Sequence, residues 1–150
     1  MKSRKQPLAT ARLITGLFIA CALILSCAKQ GYPPGGPEDR RGPIILSTEP
    51  SPDSTGVVTN IRPYFRFDEY VDRVSVEMAT FVSPLPKGKI RFKWRGKALR
   101  LVFPEQLQQD MTYVVTLGTG IKDLRGNPLP ITYTLAFSTG DKLDNAAVYG

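Results

Sequence analysis

The chain is 150 residues long and carries 20 Lys+Arg against 13 Asp+Glu, a formal charge of +7 and a pI near 9.6. It has no histidine and only two cysteines, which excludes Ser-His-Asp and Cys-His nucleophilic sites and ordinary zinc sites. The length allows one domain of ordinary size.

The chain opens with the charged residues Lys2, Arg4, Lys5 and Arg12, and then runs apolar from Leu13 to Leu25. That run is 13 residues, inside the range of a signal-peptide core and short of the ~20 that a spanning helix needs. It ends Leu23-Ile24-Leu25-Ser26-Cys27, which resembles the lipobox of bacterial lipoproteins. The resemblance implies a diacylglyceryl group on the Cys27 thiol and cleavage between Ser26 and Cys27. Two or more acyl chains give durable anchoring, where one is marginal. Cys21 is the poorer candidate, because apolar residues continue beyond it. Residues 1–26 are thus expected to be a lipoprotein signal peptide.

Loss of that segment takes four cations with it, so the charge becomes 16 − 13 = +3. An exported chain of such small net charge is expected to meet no nucleic acid. With Cys21 discarded and Cys27 acylated, the domain has no disulfide and relies on an apolar core. The expected anchorage is membrane lipid in the cell envelope. Ala28 is not the aspartate associated with inner-membrane retention, so the outer membrane of a didermal bacterium, facing the periplasm, is the expected site.

Residues 27–43 comprise the lipidated cysteine and the segment Ala28 to Pro43, dense in Gly, Pro and charge and poor in aliphatics. This composition reads as a flexible tether. From Ile44 onward, short β-branched and aromatic runs recur between turn signals. The predicted strands are Ile44 to Thr48, Tyr64 to Phe67, Thr80 to Ser83, Ile90 to Trp94, Leu99 to Phe103, Tyr113 to Leu117 and Tyr133 to Ser138. The spacing predicts an all-β antiparallel sandwich over 44–140, with 141–150 a tail or the start of a further region.

The clearest local signal is Lys89 to Phe103, where period-2 alternation runs on both sides of Gly96. A type II′ turn at Gly96-Lys97 pairs Trp94 with Leu99, Phe92 with Leu101 and Ile90 with Phe103, all facing the core. A slip of one residue would expose every large side chain of the hairpin. The register sends Lys89, Arg91, Lys93, Arg95 and Arg100 to the opposite face. That face is either a solvated, aggregation-blocking surface or a site for anionic glycan, lipopolysaccharide phosphate or lipid headgroups.

Several segments are familiar in combination. Phe65-Arg66-Phe67-Asp68-Glu69-Tyr70-Val71, the hairpin, Asp110-Met111-Thr112-Tyr113-Val114-Val115-Thr116-Leu117, Asp123-Leu124-Arg125-Gly126-Asn127-Pro128-Leu129 and Phe137-Ser138-Thr139 follow in order between Gly42 and Gly140. Together they resemble the bacterial Ig-like domain of S-layer and envelope proteins. The flanks Pro33 to Asp39 and Phe137 to Asp144 resemble those of envelope lipoproteins that begin with one such domain and continue further. The resemblance therefore implies an immunoglobulin-like sandwich of about seven strands, in the N-terminal part of a longer relative. It also implies a tyrosine corner at Tyr113, whose hydroxyl would bond backbone a few residues upstream.

Remaining carboxylates are the group Asp68, Glu69 and Asp72, and Asp123 with Asn127. Neither has an EF-hand spacing, so the first reads as a loop and the second as an Asx-type turn, with no metal and no cofactor expected. The sequence thus predicts a non-enzymatic, lipid-anchored envelope protein with a structural or protein-interaction domain. The alternative is an accessory module that binds anionic envelope glycan or lipopolysaccharide through the basic hairpin face.

Overall fold

The computed structural model describes residues 35–144; Cys27, the Ser26–Cys27 junction and the expected signal segment lie outside them. The chain divides into two units, Met1–Glu38 and Asp39–Gly150, and the second holds every strand described here.

Seven strands form in the order β1 (Ile45–Glu49), β2 (Tyr64–Phe67), β3 (Thr80–Ser83), β4 (Arg91–Arg95), β5 (Ala98–Val102), β6 (Thr112–Leu117) and β7 (Tyr133–Ser138). Each lies within one residue of its expected place at either end. One antiparallel sheet has the order β1-β2-β5-β4, and the second has the order β3-β6-β7. In the lettering of immunoglobulin domains these are the ABED and CFG sheets of the constant-type sandwich.

Alternation along the strands explains why the sheets face each other. Phe65 and Phe67 of β2, Leu99 and Leu101 of β5, Val115 and Leu117 of β6, and Leu135 and Phe137 of β7 are wholly buried between the layers. Their neighbours Tyr64, Arg66 and Arg100 point outward, as a period of two requires. Truncating one of the buried phenylalanines to Ala would cost about 3–5 kcal/mol. Tyr113 is buried as well, its ring stacked on Phe137 at 5.9 Å, and its hydroxyl accepts from the Gln108 backbone N–H at 2.9 Å. The tyrosine corner expected from the resemblance is thus in place on β6.

The β4–β5 hairpin has the expected register, with Trp94 opposite Leu99 and Phe92 opposite Leu101. Gly96 has φ +59 and Lys97 is not among the positive-φ residues, as a type II′ turn demands. The depth of burial differs from expectation. Leu99, Leu101 and Phe103 are buried, but Ile90, Phe92 and Trp94 are only half-buried, because β4 is the edge of its sheet and is packed on one flank.

Two further features depart from the sequence reading. A short helix, α1 (Arg73–Met78), carries the chain from β2 to β3, that is, from one sheet to the other. Asp72 caps it, accepting from Val74 N and Ser75 N at 3.2 Å each, and Val76 buries its single inward face. The packed domain also begins before Ile44. Pro43 is fully buried, Gly42 lies against the Pro128 carbonyl, and Asn127 Nδ2 donates to the Asp39 carbonyl at 3.1 Å. Residues 39–43, placed in the tether by their composition, are therefore docked on the domain.

Candidate functional site: a basic groove on the outer sheet face

On the outer face of the β1-β2-β5-β4 sheet, cross-strand pairing sets side chains in rows. Tyr64 is opposite Arg100, which is opposite Lys93; Arg66 is opposite Ala98, which is opposite Arg95. The small Ala98 between two arginines leaves a depression, and the result is a groove of about 770 Å³ lined by Tyr64, Arg66, Arg95, Ala98 and Arg100. Lys93 joins the wall, and Tyr70 and Lys97 close it at the hairpin tip.

Two of the cations are held on aromatic rings. The Arg100 guanidinium lies 5.6 Å from the Tyr64 ring centroid, and Lys97 Nζ lies 5.8 Å from that of Tyr70. Lys97 Nζ also donates to the Asp68 carbonyl at 2.7 Å, which fastens the tip. Among the described residues, Arg66, Arg91, Lys93, Arg95 and Arg100 have no carboxylate within ion-pair distance. Glu49 is the acidic residue of this face, paired with Tyr64 at the β1 edge.

Of the cations singled out in the sequence, the structure gathers Lys93, Arg95 and Arg100 in the groove. Arg91 lies further along the same face opposite Val102, and Lys89 precedes β4. Sequence reading left out Tyr64, Arg66, Tyr70 and Lys97 as members of a site. The alternation Phe65-Arg66-Phe67 already placed Arg66 outward, but nothing local joins β2 to β5.

Trp94 sits on the other side of β4, stacked on Phe67 at 6.4 Å with the Arg73 guanidinium 5.6 Å from its ring centroid. Its Nε1 is buried without a hydrogen-bond partner. The indole is thus part of the packing and not a free platform.

The carboxylates have structural duties. Asp123 is buried in the Asp123–Asn127 turn, where Oδ1 accepts from Arg125 N at 2.8 Å and Asn127 N at 2.7 Å, and Oδ2 accepts from Asn127 Nδ2 at 2.8 Å. Desolvation pushes its pKa up, but these hydrogen bonds outweigh it and hold the carboxyl below its ordinary range. Glu69 moves the opposite way, raised by desolvation and then by the nearby charges of Asp123, Asp68 and Asp39, against a smaller pull from Arg125. Asp68 Oδ1 accepts from Ile44 N at 2.8 Å, and Asp72 caps α1. Gly126, φ +93, completes the Asx-type turn.

Fold and site together define a cysteine-free immunoglobulin-type sandwich module. The chain belongs to the bacterial Ig-like domain family, whose profile matches residues 39–139. This is a non-catalytic type of domain, suited to a structural or interaction role. Among solved structures, an L,D-transpeptidase from Mycobacterium smegmatis is similar at a TM-score of 0.50 and 21% identity, covering 64% of this chain and 39% of that one. An S-layer protein is similar at a TM-score of 0.43 and 16% identity, covering 67% of this chain and 14% of that one. The chain spans less than half the length of either, and at 21% identity the likeness to the transpeptidase is one of fold alone. No curated protein matches. Among the described residues, no helix is long and apolar enough to cross a membrane.

Proposed function

We propose that the chain is a non-enzymatic lipoprotein of the bacterial envelope, anchored through acyl groups on Cys27, whose Ig-like domain is a structural and protein-interaction module. The anchor reading is supported by the sequence of residues 1–27, with its charged start, short apolar core and Ser26-Cys27 ending. The outer membrane, periplasmic side, is the site it favours. The interaction reading is carried by the open β3 edge. Among the described residues β3 pairs with β6 on one flank only, and its Phe81 is 65% exposed, between Met78 at 77% and Leu85 at 80% along the chain. A short open strand bordered by exposed apolar side chains suits strand addition by a partner.

Two measurements test this. Labelled palmitate fed to a didermal bacterium expressing the chain should appear in the protein and vanish in Cys27→Ala, which should also leave the membrane fraction. An unlabelled wild-type chain would reject the anchor. A photo-crosslinking residue at Phe81 should capture a defined envelope protein, whereas capture equal to that from a residue placed at Lys142 would reject the edge as the contact.

A further inference from the structure

We propose that the groove over Ala98 is a binding site for a linear anionic saccharide, one that carries carboxylate or phosphate groups. It goes beyond the anchored-module reading and depends on it only for which glycan the domain meets.

The bland explanation of a basic strand face is protection of the sheet edge. That explanation covers Arg91, Lys93 and Arg95 on β4, which is an edge. It does not cover Arg66 on β2 or Arg100 on β5, which are interior strands of the same sheet. Lys93 directly opposite Arg100 is a like-charge cross-strand pair, an arrangement that costs stability. No carboxylate of the described residues offsets it at ion-pair distance. A cluster that repels itself in the free protein is relieved by negative charge brought from outside.

Shape and chemistry narrow the ligand. A groove of about 770 Å³ is far larger than a single ion and lies within the usual range of ligand sites. The arginines can clamp planar carboxylate or phosphate with paired N–H donors. The Arg66 and Arg95 backbones flank Ala98 two strand spacings apart, about 10 Å, which suits charges on separate units of a saccharide chain rather than on one. Tyr64 and Tyr70 add ring faces and hydroxyls that bond no group among the described residues, the amphipathic surface a sugar ring offers in return. Both rings are steadied by Arg100 and Lys97, so less ordering remains for binding. A bilayer surface is the lesser match, because the cations line a concavity and no bulky aliphatic side chain projects from it.

The test uses the purified full chain and its ability to bind immobilised oligogalacturonate or phosphorylated mannan, with neutral dextran as reference. Wild type should be held by both anionic saccharides and not by dextran. Arg66→Glu/Arg95→Glu should weaken binding about tenfold or more, since two charge-assisted contacts are lost. Lys87→Glu/Lys142→Glu, outside the groove and equal in net charge, should leave affinity nearly unchanged. Equal weakening by the two pairs would reduce the effect to overall charge and overturn the proposal. Retention on phosphatidylglycerol vesicles without retention on either saccharide would also overturn it, in favour of a membrane contact. Thermal melts of each variant guard against misfolding, because the exposed, unpaired arginines should be replaceable without loss of fold. None of these readouts depends on Cys27 lipidation, so failure here leaves the anchor to be judged by palmitate labelling.

Discussion

Tyr113 shows how one hydroxyl closes a structure. Its ring lies in the core against Phe137, and its oxygen takes the Gln108 N–H, which otherwise has no acceptor at the turn into β6. Tyr113→Phe keeps the stacking and orphans that donor, and should lower unfolding free energy by about 1–3 kcal/mol in urea titrations. Asp123 makes a pH-dependent contribution of known sign. Its pKa is depressed in the fold, so its stabilisation is present above the ordinary carboxylate range and is lost as pH falls through the lower folded value. Asp123→Asn should therefore be less stable than wild type at neutral pH, with the gap narrowing in acid. Glu69, raised in the fold, has the opposite linkage: its ionised form burdens the folded state, fully so above the folded pKa. Glu69→Gln should raise neutral-pH stability and leave strongly acid stability unchanged. Denaturant titrations at neutral and acid pH give both signs, and a gap that widens for Asp123→Asn in acid would contradict the assignment.

At the scale of elements, what could be read from sequence was what local periodicity encodes. The β4–β5 register was readable because alternation on both flanks of Gly96 permits only one pairing with the large residues inward. α1 was not, because six residues are too few to show a helical period, and its start signal is the lone cap Asp72. Residues 39–43 read as tether from Gly, Pro and charge, while their docking depends on Asn127, Pro128 and Arg125, some 85 residues away. The groove was half-legible for the same reason. Its β4 and β5 cations belong to one hairpin, but Tyr64 and Arg66 arrive only through the pairing of β2 with β5. The docked segment can be tested at Gly42, where a Cβ would collide with the Pro128 backbone carbonyl. Gly42→Ala should detach residues 39–43 without melting the sandwich. Amide exchange should speed up at Ile44, whose N–H donates to Asp68, while Val115 stays protected. Unchanged exchange at Ile44 would mean that Gly42 is not a close contact in solution.

Across residues 35–144, which carry 15 Lys+Arg against 13 Asp+Glu, a small net charge hides a segregated distribution. One sheet face carries Arg66, Arg91, Lys93, Arg95 and Arg100 without an ion pair among the described residues, while the charges of Asp123, Asp68 and Asp39 fall on Glu69 elsewhere. Overall charge therefore says little about what the domain attracts, and local field says more. Segregation also has a stability cost that can be measured without any ligand. Lys93→Glu converts the like-charge pair with Arg100 into an opposite-charge pair on adjacent strands, a change worth about 0.2–1 kcal/mol or somewhat more. The variant should melt higher than wild type at low ionic strength, and the difference should shrink as salt screens both states. The same substitution removes a cation from the groove and should weaken retention on anionic saccharide. A gain in stability paired with a loss of binding would mark Lys93 as kept for its surface chemistry, the pattern expected of a functional site that strains its own scaffold. If Lys93→Glu lowered both, the lysine would be a structural member of β4, and the repulsion across to Arg100 would have no part in shaping this face.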